Sequence, residues 1–148
     1  MKSTAETYYK ISLEHLEFAR QMLDDPNYAT RYYLTHFFAG VAVECMLRAF
    51  LVKSNRSWQA RHDLHQIAAE AKFFDLVPKS QKIEFSGKFT ILNKRWNSNH
   101  RYFTMREVER HLQRVGAEQN VPGLLLQNNA ETMLRLATEI IKLGRSKW

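Results

Sequence analysis

Arg31-Tyr32-Tyr33-Leu34-Thr35-His36-Phe37-Phe38-Ala39-Gly40-Val41-Ala42-Val43-Glu44-Cys45-Met46-Leu47-Arg48-Ala49-Phe50-Leu51 is the stretch that decides the fold. Wound as a helix, it is apolar on nearly every side, and its polar positions His36, Gly40, Glu44 and Arg48 recur every four residues as one narrow stripe. A helix with so little polar surface is either the central element of a bundle or packs against a second subunit. Asp25 can cap it, with Pro26 in the first turn where a missing N–H costs nothing, so the helix is expected over about 26–53. Glu44 and Arg48 have the spacing of an ion pair, and Gly40 permits a close helix approach. Alternatively, Glu44 faces a basic site.

Working outward, residues 4–24 place Tyr9, Leu13, Leu16 and Leu23 at helical spacing and stop at Asp24-Asp25-Pro26. A polar connector from 53 to 61 contains Trp58. A shorter helix follows over about 62–74, with Leu64, Ile67, Ala68 and Ala71 on one face, and another over about 79–94 carries Phe85, Phe89 and Leu92. Asn97-Ser98-Asn99 breaks the pattern. Thr104-Met105-Arg106-Glu107 has the T-x-x-E form of a capping box and launches a helix through Val108 and Leu112 that stops at Gly116. After a loop at 119–123, Asn128-Asn129-Ala130-Glu131 reads as the cap of the last helix, with Met133, Leu136, Ala137 and Ile140 inward and Gly144 at its end. Five Gly and three Pro give little material for the tight turns of an all-β fold. The expected architecture is all-α: a single up-and-down helical bundle of four to six helices, one domain over residues 1–148.

At 45% hydrophobic and 25% charged residues, the chain can build a packed core and is not disordered. No apolar run is expected to supply the ~20 residues of a membrane helix. Met1-Lys2-Ser3-Thr4-Ala5-Glu6 lacks the apolar centre of a signal peptide. A cytoplasmic protein without membrane attachment is expected, and its single cysteine, Cys45, reads as a buried reduced thiol. The net charge of +7 is localised: residues 72–114 hold ten Lys and Arg against four Asp and Glu. Such a segment fits a polyanionic partner, nucleic acid before membrane, or else a solvated face that keeps the protein soluble.

Within that segment stands Arg95-Trp96-Asn97-Ser98-Asn99-His100-Arg101-Tyr102. Arg95 is a permanent cation, and an imidazole at His100 with an unshifted pKa of ~6.5 can act as general base or acid. The two can bind a phosphodiester and move its protons without a metal. Asn97 or Asn99 can orient the phosphate, while Lys94, Arg101 and Arg106 add attraction for RNA without specificity. Trp58, Trp96 and Tyr102 can stack on bases, and Trp96 and Tyr102 are equally explicable as interface packing. His62 and His65 flank Asp63 at a spacing that suggests a metal pair, but no further ligand completes a set. His62 is therefore read as a helix cap or loop contact, and no metal or other cofactor is expected. His15, His36 and His111 are isolated and read as surface or satisfied core residues.

The helix pattern, the long apolar second helix and Arg95-x4-His100-x-Tyr102 ahead of a helix resemble a HEPN domain. More narrowly, they resemble the HEPN toxins paired with minimal nucleotidyltransferases, whose signature is R-x4-6-H-x-Y. Arg61-His62-Asp63-Leu64 is similar to the H-D-L that opens the third helix in other branches. The likeness covers about residues 5–143, and only the motif is specific. It implies a homodimer whose two motifs meet at the interface, and a metal-independent endoribonuclease. Arg95 and His100 carry over as the catalytic pair and Tyr102 as the third signature residue, a tyrosine that the partner nucleotidyltransferase can modify. The chain departs from the pattern at Trp96, where the family places a small or polar residue.

Two function classes follow. The first is a dimeric ribonuclease, a toxin of a toxin–antitoxin or defence system, using the ribose 2′-hydroxyl as nucleophile, His100 for proton transfer, Arg95 on the phosphoryl oxygens and Glu44 in support. The alternative is a non-catalytic module that binds RNA, a nucleotide or a partner protein through the same surface. Histidine at 100 favours the enzyme, since phosphate binding alone is better served by Lys or Arg, whereas Trp96 favours the binder. In a third reading the chain is one subunit of a two-gene system whose activity needs its neighbour, a nucleotidyltransferase-type antitoxin.

Overall fold

The first helix, α1 (Ala5–Asp24), starts where the Thr4 hydroxyl accepts the Thr7 N–H at 3.1 Å. It stops where Asp25 turns extended, close to the sequence expectation. The second does not begin at Pro26. The Asp25 carboxylate accepts the Asn27 N–H at 2.9 Å, closing a turn, and α2 (Arg31–Lys53) follows from a Thr30 that makes no side-chain cap. α3 (Leu64–Glu70) is shorter than expected, because Lys72 takes a left-handed φ of 53° and the chain tightens into a 3-10 turn over Phe73–Leu76. α4 (Lys82–Arg95) is followed by a 3-10 turn over Ser98–Tyr102, α5 (Met105–Arg114) and α6 (Leu125–Lys147). These elements come from a computed structural model that describes residues 4–28, 30–55, 59, 62–117 and 124–148. Trp58, Arg61 and the expected loop at 119–123 lie outside the described residues. Among the described residues the fold is an all-α bundle without strands.

The capping box at Thr104 forms in both directions, with Thr104 N–H to Glu107 at 2.6 Å and Glu107 N–H to the Thr104 hydroxyl at 3.2 Å. α5 ends at Arg114, and two residues on Gly116, whose φ of +73° suits glycine, lets the Ala117 N–H reach the Leu112 carbonyl at 3.0 Å. The last helix corrects its expected start. α6 begins before Asn128-Asn129, so Asn129 lies inside the helix and is buried, and Gly144 lies inside it too, against the Met46 side chain.

α2 is the axis of the bundle, packed most extensively on α1 and next on α6. The Ser12 hydroxyl donates to the Ala42 carbonyl at 2.7 Å and the Thr35 hydroxyl to the Ala19 carbonyl at 3.1 Å, pinning α1 to α2 without leaving a buried donor unpaired. α2 has 23 residues and holds an 18-residue window with a mean hydropathy of 1.4, so by length and composition it could span a membrane, contrary to the sequence expectation. Yet 61% of its apolar window is buried inside the fold, the signature of a core helix. Its own chain thus covers the surface that had argued for a second subunit. Apolar exposure is found elsewhere: Ile83 is 91% exposed, and Ile91, Tyr102 and Met105 also face outward. A second small core of Val108, Leu112, Ala117 and Leu125 seats α5 against the start of α6.

Candidate functional site

The narrow stripe on α2 is a docking seam for the segment that follows α4. Trp96 lies flat over Gly40: a Cβ on Gly40 would fall 2.1 to 2.3 Å from indole atoms, so only glycine leaves room. The indole N–H donates to the Phe37 carbonyl at 3.1 Å and the ring is 3% exposed. Gly40 therefore admits a side chain, where a helix had been expected. Trp96 is core, and in this position it does not offer a face to a base.

Next along the stripe, His36 meets His100. Asn97 caps the Ser98–Tyr102 turn, accepting the Asn99 N–H at 2.8 Å, and the His100 ring folds back to accept the Asn97 N–H on Nδ1 at 3.3 Å. The His36 Nε2 lies 2.9 Å from the same His100 Nδ1. On the other side of His36, the Asn129 amide nitrogen lies 2.8 Å from Nδ1, and Arg95 donates to the Asn129 carbonyl oxygen at 3.5 Å. An amide nitrogen can only donate, which fixes the protons. His36 accepts on Nδ1 and donates from Nε2, so His100 accepts on Nδ1 and carries its proton on Nε2. Arg95, Asn129, His36 and His100 form one hydrogen-bonded chain through the bundle.

Both rings are held neutral. Burial, then the neighbouring His100, His111 and Arg95, holds His36 well below its ordinary pKa. Burial, then His111, lowers His100 to about 4. This corrects the expectation of an imidazole unshifted near neutrality: His100 is 1% exposed and belongs to the core. Tyr33 donates its hydroxyl to the His100 carbonyl at 2.5 Å, and His111 donates from Nε2 to the Lys94 carbonyl at 2.9 Å with its ring against His100. The isolated histidines 36 and 111 are thus the clasps of the motif, a role that spacing along the chain does not display.

The remaining expected residues stay outside this chain. Asn99 is exposed, and Tyr102 is 73% exposed beneath the Arg101 guanidinium, 4.8 Å from its ring centre. Glu44 does not reach Arg95 or His100 through any contact described; it accepts from Arg48 Nε at 2.8 Å and lies 3.0 Å from His62 Nδ1. The cap of α3 is Asp63, accepting the Gln66 N–H at 2.8 Å, which leaves His62 to the Glu44 contact.

Lys94, Arg101 and Arg106 are all exposed. Arg110 and Arg114, not among the residues expected to bind RNA, share one helix face with Arg106 through their four-residue spacing. Arg106, Arg110 and Arg114 form an exposed arginine row along α5, about 6 Å apart along its axis. The last two line a groove of about 640 Å³ with Phe103, Glu107 and Gln113. Lys94 and Arg95 line a smaller groove with Ile91, Val115, Gly116 and Ala117. Of the ten basic residues in 72–114, Lys88 is held by Glu84 at 3.3 Å and Glu139 at 3.0 Å, tying α4 to α6. Set against protein-family models, curated proteins and solved structures, the chain matches none.

Proposed function

We propose that the protein is a HEPN-like RNA-binding domain whose RNA interface is the exposed basic face formed by the end of α4, the Ser98–Tyr102 turn and α5. The arginine row of α5 carries this reading. Three guanidiniums on one helix face, with exposed Lys94 and Arg101 on the segments leading into it, give a run of cations to which a phosphate backbone adheres without base readout. Phe103 at the groove and exposed Tyr102 supply aromatic surface for unpaired bases. The protein acts in the cytoplasm as a homodimer, and the exposed Ile83, Ile91 and Met105 are the apolar surface available for that contact. A nucleotidyltransferase-type antitoxin is its partner if it serves as a toxin.

A second reading, the metal-independent endoribonuclease with Arg95 and His100 as catalytic pair, is favoured by the hydrogen-bonded chain that links them. It requires the His100 ring to be uncovered when a second copy docks. The test of the first reading is fluorescence anisotropy of labelled single-stranded RNA across salt. Five phosphate contacts give a slope of about −3.5 in log K against log salt, on the order of 100-fold weaker binding at 200 mM than at 50 mM. Affinity that does not change over that range would sink the basic-face interface.

A further inference from the structure

A cleft of about 330 Å³ opens beside the basic face, walled by Tyr8, Phe37, Glu44, Arg48, His62 and Arg101. The Glu44 and Arg48 side chains are 11% and 10% exposed, and their charges pair at 2.8 Å. Taking two charges out of water is costly, and an apolar pair of similar volume would pack as well. The cleft gives that cost a use. The Glu44 oxygen that binds Arg48 also lies 3.0 Å from Nδ1 of His62, whose side chain is 55% exposed. A carboxylate on one ring nitrogen holds the proton there and leaves Nε2 as the basic nitrogen. Among the described residues Nε2 has no hydrogen-bond partner. His100, by contrast, has its Nδ1 occupied by both His36 and Asn97.

We propose that His62, oriented by Glu44, is the proton-transfer group of an RNA-cleaving site in this cleft, with Arg101 holding the phosphoryl oxygens. The proposal rests on the reading of RNA as the ligand. Nε2 of His62 takes the proton of a ribose 2′-hydroxyl, and the freed oxygen lone pair forms a bond to phosphorus. The bond from phosphorus to the 5′-oxygen breaks, its electron pair leaving on that oxygen, which takes a proton from water. The proton on His62 then neutralises the hydroxide so formed. The products are a 2′,3′-cyclic phosphate and a 5′-hydroxyl. Glu44 is a positioning residue, since it acts through the ring of His62. DNA lacks the 2′-hydroxyl and is bound but not cut.

The test measures cleavage and binding of the same labelled single-stranded RNA by wild type, His62→Gly and Glu44→Gln. Because the His62 side chain is half exposed, its removal leaves the core intact, and circular dichroism checks this. His62→Gly should bind RNA as wild type does but cut it at least ~100-fold more slowly, and added imidazole should restore cutting. Glu44→Gln should lower kcat with little change in KM. A His62→Gly protein that cuts at the wild-type rate, or whose lost activity imidazole does not restore, overturns the assignment. Wild-type protein that binds RNA without cutting it also overturns the assignment while leaving the RNA interface standing. Wild-type protein that does not bind RNA overturns both.

Discussion

Acid should unfold this protein through its buried histidine pair. His100 has a folded-state pKa of about 4 against an ordinary value of 6.5, with burial as the main cause and His111 as the second. A base whose pKa is depressed on folding takes up more protons when unfolded. Its contribution is therefore present above pH 6.5 and is lost as the pH falls toward 4. For His100 alone, moving from pH 7 to pH 4.5 costs about 2.5 kcal/mol, a large fraction of a typical domain's stability. His36 is depressed in the same direction and adds to the loss. Urea unfolding followed by tryptophan fluorescence reads this out, since Trp96 is buried in the core. With a slope of about 2 kcal/mol/M, the midpoint should drop by about 1 M from His100 alone. Carboxylates also titrate in this range, so the comparison is with His100→Gln, which should be less stable at pH 7 and show a shallower pH dependence. Equal pH slopes in wild type and variant would refute the neutral buried imidazole.

Gly40→Ala should destabilise by about 1–3 kcal/mol, because the new methyl lands on the Trp96 ring and the core must shift; thermal unfolding and the near-ultraviolet tryptophan signal would check it. Asn129→Ala should cost about 1–3 kcal/mol by leaving the buried His36 Nδ1 unpaired. Urea unfolding at pH 7 checks the loss, and the helical circular dichroism signal should be unchanged in the folded variant.

What could be read from the chain divides along physical lines. The ends of α1, the capping box at Thr104, the stop at Gly116 and the Glu44–Arg48 pair were legible, because each depends on residues within four or five positions of one another. The start of α6 was not. Asn128-Asn129 looks like a cap locally, but the buried side chain of Asn129 is satisfied by His36, 93 residues away in sequence. Asp25 misled in a similar way, its carboxylate closing a turn instead of opening a helix. Within the motif, Arg95 and His100 were visible as chemical types, yet the burial of His100 depends on His36, 64 residues distant, and no local period reports such a contact. The contact between Trp96 and Gly40 is of the same kind: the stripe on α2 showed that something docks there, and the fold showed that it is an indole. His62 was expected to be a helix cap or a loop contact, because its partner Glu44 lies on α2, 18 residues away in sequence.

Ultraviolet crosslinking of the protein to single-stranded RNA, with the attached peptides identified by mass spectrometry, locates the RNA on the protein surface. Crosslinks should concentrate within residues 94–114, with Tyr102 and Phe103 foremost, and should be lost when Arg106, Arg110 and Arg114 are changed together to Glu in a protein that remains helical. Crosslinks concentrated on α6, or an undiminished yield from that triple variant, would contradict the basic-face interface.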